Sequence, residues 1–256
     1  MSIPITPAEL TAEVYARIPG ALLAFDVDGV LAPLVDHVAD SSLSDGVDRA
    51  LGVLVDHTPV ALLSGRSLDS LAELLDFPPG LYVIGSHGLE VHGGDRLALS
   101  ADEQDVYAEL ARLGAVAVAR CGDGAWLERK PASVVLHTRL ADGPEVTDAI
   151  GALVAAAVRI PGVTVKAGHD VVELLVRSTD KGTALLELAA RVSATSVVFL
   201  GDDRTDEDAF VRMGPGDLPV RVGPGDTAAR VRLSGPGAVA EFASGLAAAL
   251  SSPSRS

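Results

Sequence analysis

Two short stretches of the chain carry closely spaced carboxylates directly after apolar runs. The stretch "LLAFDVDGVLAP" (22–33) contains Asp26 and Asp28, and "VVFLGDDRTDEDAF" (197–210) contains Asp202 and Asp203. Carboxylates at such close quarters are stable as anions only with a cation between them, unless one of them is protonated. The four side chains offer the hard oxygen ligands that Mg²⁺ accepts, so the sequence predicts a cation site.

Three more acidic residues follow in the second stretch. We interpret Glu207 and Asp208 as first-turn residues of a helix, where negative charge suits the helix dipole. For Asp206, contact with the site and a place in that first turn are equally favoured.

Two further polar residues follow the same pattern. Ser64 comes after the apolar run "VALL", and Lys181 opens a helical segment in "DKG". A serine hydroxyl can donate to a phosphate oxygen, and a lysine can place a positive charge against it. Each of these clusters alone is more often a helix cap or a turn. Their recurrence at successive strand or helix ends favours an anion pocket with a carboxylate floor.

The flanking elements are typical of a parallel sheet covered on both faces. Apolar runs of strand length alternate with helical patterns, as in α/β folds, and the strands are continuously apolar because both of their faces are buried. Ligands of such sheets bind beyond the carboxyl ends of the strands, which is where the polar clusters occur. The predicted elements are strands 21–26, 59–63 and 81–85 and helices 44–57 and 67–76.

From about residue 99 to residue 177 the pattern changes. The turn sequences "CGDG" and "KPAS" separate strand-like runs in "GAVAVARCGDGAWLERKPASVVLHTRL", and an α-β-β-α-β-β order indicates a smaller inserted α+β layer. The predicted elements here are helices 101–113 and 144–158 and the strands "VTVKA" and "VVELLV". Helix 181–192 and the strand "SVVFL" then resume the first pattern.

The amino-acid composition limits the kinds of partner that the protein can bind. The 256 residues include 20 Lys+Arg against 35 Asp+Glu, and the formal charge of -15 disfavours binding to nucleic acid and to anionic membranes. The single cysteine, Cys121, excludes an internal disulfide and fits a reducing cytoplasm. No signal peptide or apolar run of membrane-spanning length is evident in the sequence, so we expect a soluble, unexported, cytoplasmic monomer.

At these residues the chain resembles the haloacid-dehalogenase-like phosphatases. "FDVDGVLAP", the Ser of "LLSGR", the Lys of "DKG" and "GDDRTDEDAF" match the four motifs of that superfamily. Within it, "IGSHGLE" (84–90), "WLERKPASVVLHTR" (126–139) and "LGDDRTDEDAF" resemble the trehalose-6-phosphate phosphatase branch. The family usually has Thr after "DxDG", where this chain has Val30. Val lacks the hydroxyl group of Thr, and we expect this to affect the fine tuning of the site rather than the reaction itself.

The resemblance implies an α/β fold with a Rossmann-like core and a cap that closes over the sugar. The core is residues 1–98 and 178–256, and the cap is residues 99–177. It also implies that Asp26 attacks phosphorus to give an aspartyl-phosphate and that Asp28 is the general acid and base. The implied cofactor is Mg²⁺, and the implied metal ligands are Asp26, Asp28 through its backbone carbonyl, Asp202 and Asp203. The resemblance further implies that Ser64 and Lys181 bind the remaining negative charge of the phosphate group.

The substrate-binding residues are also implied by the resemblance. In the cap, Glu128, Lys130 and Glu173 are expected to contact the distal glucose. Without the resemblance, the charged run 128–130 is typical of a solvated surface strand. In the core, the expected contacts are Ser64, Gly65, Arg66 and His87, and for His87 in "GSHG" a simple turn is the alternative.

The roles of three other residues in the same region, His137, Arg139 and Trp126, are less sharply predicted. His137 and Arg139 match the family pattern, although a strand His is more often simply hydrogen-bonded in place. For Trp126 we predict a packing role rather than stacking on a sugar.

Three functions remain open at this point. The first is a Mg²⁺-dependent trehalose-6-phosphate phosphatase, and the second is a phosphatase of the same fold for another sugar or sugar-acid phosphate. The third is a catalytically silent regulatory domain. The intact motif residues, in a chain too short to hold a synthase as well, disfavour the third.

Overall fold

The computed structural model describes residues 2–35, 41–92, 99–168, 170–176 and 180–252. The chain divides into two compact units, Met1–Gly94 with Thr179–Ser256, and Asp95–Ser178. In chain order the strands are β1 (Ile3–Pro4), β2 (Ala21–Phe25), β3 (Val60–Leu63), β4 (Leu81–Gly85), β5 (Glu90–Val91), β6 (Trp126–Lys130), β7 (Ser133–His137), β8 (Thr164–Gly168), β9 (Val171–Leu175), β10 (Ser196–Gly201), β11 (Leu218–Val222) and β12 (Val231–Leu233). The helices are α1 (Pro7–Tyr15), α2 (Val47–Leu54), α3 (Leu68–Leu74), α4 (Ala101–Cys121), α5 (Pro144–Ala157), α6 (Lys181–Arg191), α7 (Arg204–Phe210) and α8 (Pro236–Ser251).

The first unit is built on an eight-stranded sheet in the order β1-β12-β11-β10-β2-β3-β4-β5. Its neighbouring strands are parallel except for the antiparallel pair β4–β5. Leu23 and Phe25 of β2 pack in one core cluster with residues of α1, α2 and α8. Leu22 and Ala24 pack on the opposite face with residues of α6 and α7. Burial of both faces explains why the strand sequences are continuously apolar.

The strand order places the polar clusters together. From β2 the chain continues to β3 and β4 on one side, whereas β10 pairs with β2 on the other side. The carboxyl ends of β2 and β10 therefore lie side by side where the strand order reverses, which is the usual ligand position in an open α/β sheet.

The second unit is a four-stranded antiparallel sheet in the order β6-β7-β9-β8, packed against α4 and α5. A Cβ atom added at Gly114 of α4 would lie 2.5 Å from Leu127 Cδ1, so Leu127 faces the helices. Because side chains alternate along a strand, Trp126, Glu128 and Lys130 share the opposite face of this sheet.

The predicted fold class is confirmed: a Rossmann-like core with a mainly parallel sheet, interrupted by a smaller α+β unit. Within the described part of the chain, none of the helices combines the length and apolar character that a bilayer span requires.

One prediction in the second unit is wrong. The helix predicted at 101–113 continues to Cys121, so the run "GAVAVAR" is helical rather than strand-like. Its Val and Ala residues alternate as in a strand, but Ala111, Gly114, Ala117 and Cys121 are buried at helical spacing against the rest of the unit. Gly122, with φ +76°, ends the helix.

Smaller differences concern element ends and unassigned segments. Helix α2 is shorter than the predicted 44–57 because Gly46, with φ +80°, precedes its first residue, and α3 is shorter than 67–76. No elements are predicted for residues 1–20 and 211–252, where the structure has β1, α1, β11, β12 and α8.

Candidate active site

Asp26 lies immediately beyond the carboxyl end of β2 and is buried. Its backbone N–H donates to the carbonyl of Leu200, and its Oδ1 accepts from the N–H of Val27 at 2.7 Å. Its Oδ2 lies 2.8 Å from Lys181 Nζ. Burial raises the pKa of Asp26 well above its ordinary value, against the opposing attraction of Lys181.

Lys181 is the first residue of α6, whose N-cap is Asp180. Its buried ammonium group bridges two carboxylates, Asp26 Oδ2 at 2.8 Å and Asp206 Oδ1 at 2.9 Å. Burial alone would lower the pKa of Lys181, but the two carboxylates outweigh burial and raise it above its ordinary value. Lys181 is therefore a fixed positive charge beside Asp26.

Asp206 is fully buried and organises the turn that follows β10. Its Oδ2 accepts the backbone N–H groups of Asp202 at 2.9 Å and Asp203 at 3.1 Å. A Cβ atom at Gly201 would lie 2.4 Å from Asp206 Cβ, so only glycine fits there. Asp206 thus reaches the site through Lys181, while Glu207 of the same helix binds Arg221 at 3.1 Å and the N–H of Ala228 at 2.8 Å.

Asp202 and Asp203 hold different places in this turn. Asp203 is the N-cap of α7, and its Oδ1 accepts the N–H of Asp206 at 3.0 Å. Burial would raise the pKa of Asp203, but Lys181 and the hydrogen bonds from Thr205 and Asp206 lower it. Asp202 lies against Gly29, where an added Cβ would fall 2.0 Å from its Oδ2. Burial, followed by the charges of Asp206 and Asp203, raises the pKa of Asp202 to about 6.

These carboxylates form a cluster that can hold a metal ion. Asp26, Asp203 and Asp206 each offer an oxygen, and these oxygens lie within 4.8 Å of one another. The donor set is entirely carboxylate, which fits a hard cation such as Mg²⁺. Asp206 was not among the predicted ligands. The three carboxyl groups share the one ammonium group of Lys181, and a bound cation would offset their mutual repulsion and favour the ionised form of Asp26, whose pKa burial raises.

Asp28 is bound by Arg66 rather than by the acidic cluster. Arg66 Nε donates to Asp28 Oδ2 at 2.8 Å, and its Nη2 donates to Oδ1 at 2.6 Å. These bonds to Asp28 raise the pKa of Arg66. The pair joins the loop after β2 to the loop after β3. Ser64, at the end of β3, is buried, and its Oγ accepts the N–H of Arg66 at 3.1 Å.

His87 lies in a strained turn beside these loops. Ser86 and His87 both have positive φ angles, 49° and 55°, which are uncommon for residues other than glycine and often occur at functional sites. The turn is held by Ser86 N–H to the carbonyl of Arg66 at 2.7 Å and by His87 N–H to the carbonyl of Ser64 at 2.9 Å. A Cβ atom at Gly65 would lie 2.8 Å from the His87 ring, so the ring covers Gly65.

The predicted residues of the first unit therefore converge. A cavity of about 340 Å³ at the carboxyl ends of the strands is lined mostly by these residues, whereas Ser64 is buried and does not line it. The predicted residues lining it are Asp26, Asp28, Gly65, Arg66, His87, Lys181, Asp202 and Asp203.

The remaining predicted residues belong to the second unit, and all of them except Arg139 lie on one face of its sheet. Glu173 Oε1 lies 3.5 Å from Lys130 Nζ and accepts a 2.7 Å hydrogen bond from Ser133 Oγ. Glu128 Oε2 lies 2.9 Å from His137 Nε2. Glu128, Lys130 and Glu173 are thus brought onto one face, but each is paired with a neighbour. Arg139 is exposed in the turn after β7.

The fold and the strand-end site define a haloacid-dehalogenase-like α/β protein. The chain belongs to the trehalose-phosphatase family, whose model matches residues 24–231. Among solved structures, an Aspergillus fumigatus trehalose-6-phosphate phosphatase matches with a TM-score of 0.72 and 27% identity, covering 97% of this chain and 100% of the other.

Curated relatives carry the same family name. The trehalose-phosphate phosphatase of Mycobacterium marinum is 33% identical over 254 residues, which cover 91% of this chain and 63% of the relative. The Mycobacterium tuberculosis protein of that name is 34% identical over 237 residues, covering 87% of this chain and 60% of the relative. The chain therefore spans about three fifths of the length of these relatives.

Proposed function

We propose that this chain is a phosphoric monoester hydrolase that converts trehalose 6-phosphate to trehalose and phosphate, the last step of trehalose biosynthesis. Family membership and the names of the relatives support the substrate. The main observation in support of the proposed reaction is the buried Asp26 carboxylate at the carboxyl end of β2, whose Oδ2 lies 2.8 Å from Lys181 Nζ. A carboxylate held in this way suits nucleophilic catalysis.

In the proposed reaction an oxygen of Asp26 attacks phosphorus, and the bond from phosphorus to the sugar oxygen breaks. Asp28, which enters this step in its protonated form, donates its proton to the departing sugar oxygen. Water then attacks phosphorus, the bond to the Asp26 oxygen breaks, and Asp28 takes the proton from that water. Phosphate leaves, with Asp26 again an ionised carboxylate and Asp28 again protonated.

Arg66 links substrate binding to the availability of Asp28. In the structure the guanidinium group occupies both oxygens of Asp28. A phosphate dianion is a competing bidentate partner for the same group. In our proposal Arg66 passes from Asp28 to the phosphate, and Asp28, no longer stabilised as an anion, takes up a proton from solvent before it acts as the acid. Lys181 keeps Asp26 in place meanwhile, and Gly65, Ser64 and His87 shape the neighbouring loops.

Mg²⁺ is the proposed cofactor because carboxylate oxygens cluster at this site and a hard cation prefers oxygen ligands. The oxygens of Asp206 are already bound to Lys181 and to two backbone N–H groups. The residues that would hold the ion are therefore Asp26, Asp203 and Asp202, which line the same cavity, together with the backbone carbonyl of Asp28. When bound, it supplies positive charge that lowers the repulsion between an anionic nucleophile and a dianionic substrate. Asp206 would contribute indirectly, because it binds Lys181 and the backbone of the turn that carries Asp202 and Asp203.

The second unit, residues 99–177, is proposed to act as the cap that selects the sugar. Glu128, Lys130 and Glu173 are charged groups on one sheet face, and charged partners reject ligands that lack the matching hydroxyl. Glu128 and Glu173 would keep their present partners, His137 and Ser133, and would use their remaining acceptor capacity for sugar hydroxyls.

The test is phosphate release from a panel of sugar phosphates at fixed Mg²⁺. We expect kcat/KM for trehalose 6-phosphate to exceed the values for glucose 6-phosphate, sucrose 6-phosphate and mannosyl-glycerate phosphate. A higher value for another sugar phosphate would keep the reaction and replace the substrate. No release from any of them would contradict the proposal.

A further inference from the structure

Trp126 forms an ordered aromatic pair on the sheet of the second unit. It lies directly opposite His137 in the register of β6 and β7. The two rings stack with centroids 4.6 Å apart and an interplanar angle of 6°. Even so, 42% of Trp126 is exposed. A tryptophan that served only to fill the core would be expected to be far less exposed.

The pair is fixed by a carboxylate beside it. His137 Nε2 lies 2.9 Å from Glu128 Oε2, so the imidazole that covers one face of the indole is itself held in place. A stacked ring with few rotatable bonds loses little entropy when a ligand binds. The orientation of Trp126 is therefore set before any ligand arrives.

The surroundings of the pair have the composition of a carbohydrate site. Trp126 shares its sheet face with Glu128 and Lys130, and Lys130 is paired with Glu173. Ring faces carry negative electrostatic potential and attract the weakly positive C–H groups of a pyranose. Carboxylates and an ammonium group beside the ring can bind the hydroxyls at the edge of the sugar.

From this arrangement we infer that Trp126 is a further substrate-contacting residue, which stacks on the glucosyl ring that bears no phosphate, with His137 as its positioning residue. The inference rests on the proposed function, because it assigns a contact to the same substrate. It differs from the pattern-based prediction that Trp126 serves packing.

The kinetic test compares three variants on two substrates. We expect Trp126→Ala to lower kcat/KM for trehalose 6-phosphate relative to acetyl phosphate by about three- to tenfold, the size of an aromatic contact. Acetyl phosphate is chosen because it has no ring to stack. Trp126→Phe should keep the ratio within about twofold, since it keeps an aromatic face. Val116→Ala is the matched control, because Val116 is 43% exposed on α4 of the same unit.

A spectroscopic test needs no change at Trp126. The chain contains one tryptophan, so its intrinsic tryptophan fluorescence reports on Trp126 alone. In the Asp26→Asn variant, titration with trehalose 6-phosphate should shift or quench that emission in a saturable way. Binding detected by calorimetry without any change in emission would overturn the inference.

The outcomes separate the inference from the proposed function. If the unchanged protein hydrolyses trehalose 6-phosphate but Trp126→Ala keeps the substrate ratio of Val116→Ala, the stacking contact is refuted and the activity stands. If the unchanged protein neither hydrolyses nor binds trehalose 6-phosphate, the proposed function and the contact both fail.

Discussion

The two regions that contain the predicted site residues hold their charges differently. In the first unit, Asp26, Lys181 and Asp206 are buried, and each makes at least two polar contacts. In the second unit, the Glu128 side chain is 46% exposed and the Lys130–Glu173 contact is 3.5 Å long. Buried charges are stable only when all of their partners are present, whereas exposed pairs contribute little to stability.

In our proposal this difference corresponds to a division of roles, with the reaction in the first unit and the selection of the sugar in the second. The buried cluster is part of the fold, so removal of the ammonium group of Lys181, which bridges two buried carboxylates, should destabilise the unit, whereas Asn at position 26 keeps the shape and a hydrogen-bond acceptor. The exposed sheet face can change its side chains at little cost in stability, which suits a surface that determines which sugar is bound. Changes in the two regions should therefore have different signatures.

The largest effect is expected from Asp26→Asn. The amide keeps the shape but removes the nucleophile, so phosphate release from trehalose 6-phosphate and from p-nitrophenyl phosphate should both fall by about 10⁴-fold or more. Circular dichroism should be unchanged. Asp208→Asn, an exposed position on α7, is the control and should retain full activity. Comparable turnover by Asp26→Asn would remove Asp26 as the nucleophile.

Removal of the metal should be nearly as damaging. With EDTA in excess, we expect activity toward both esters to vanish, because the repulsion between Asp26 and the substrate is no longer offset. Addition of Mg²⁺ beyond the chelator should restore the activity. Unchanged phosphate release in EDTA would show that the acidic cluster does not serve as a required cation site.

Lys181→Met tests how strongly the buried cluster is tied to the fold. It leaves Asp26 and Asp206 buried without their ammonium partner, so the free energy of unfolding should fall by about 3–5 kcal/mol in urea titrations. Arg212→Met, which breaks an exposed pair with Asp180, is the matched control and should cost at most about 1 kcal/mol. Equal losses in the two variants would remove the contrast between buried and exposed charges.

Alanine at Glu128, Lys130 or Glu173 should have the smallest and most selective effect. The loss of one charged hydrogen bond to a sugar hydroxyl should lower kcat/KM for trehalose 6-phosphate by about ten- to a hundredfold. The value for p-nitrophenyl phosphate should hardly change, and Glu109→Ala, an exposed residue on α4, serves as the control. Equal losses toward both esters would indicate a structural role.

Much of the fold and part of the site could be predicted from the sequence. Continuous apolar runs identified the central strands because burial of both sheet faces leaves a strong pattern. Asp26, Asp28, Lys181, Asp202 and Asp203 were predictable because each directly follows a strand or opens a helix. The structure brings these residues to one cavity, while their catalytic and metal-binding roles remain proposals.

Other features could not be predicted because they depend on long-range packing. The Arg66–Asp28 bridge joins residues 38 apart, and the link from Lys181 to Asp206 joins residues 25 apart. In α4, an Ala–Val alternation imitated a strand although tertiary burial follows the helical period. Val30 proves to be fully buried in the apolar core, where its methyl groups are accommodated.

The central claim is that Asp26 becomes phosphorylated during turnover of trehalose 6-phosphate. Borohydride reduces an acyl phosphate to an alcohol, so a reaction with Mg²⁺ that is quenched into borohydride should convert Asp26 to homoserine. Peptide mass spectrometry would locate the change. We expect it at residue 26 only, and only when substrate and Mg²⁺ are both present. Rapid phosphate release with Asp26 unmodified, or with another carboxylate modified, would contradict the account.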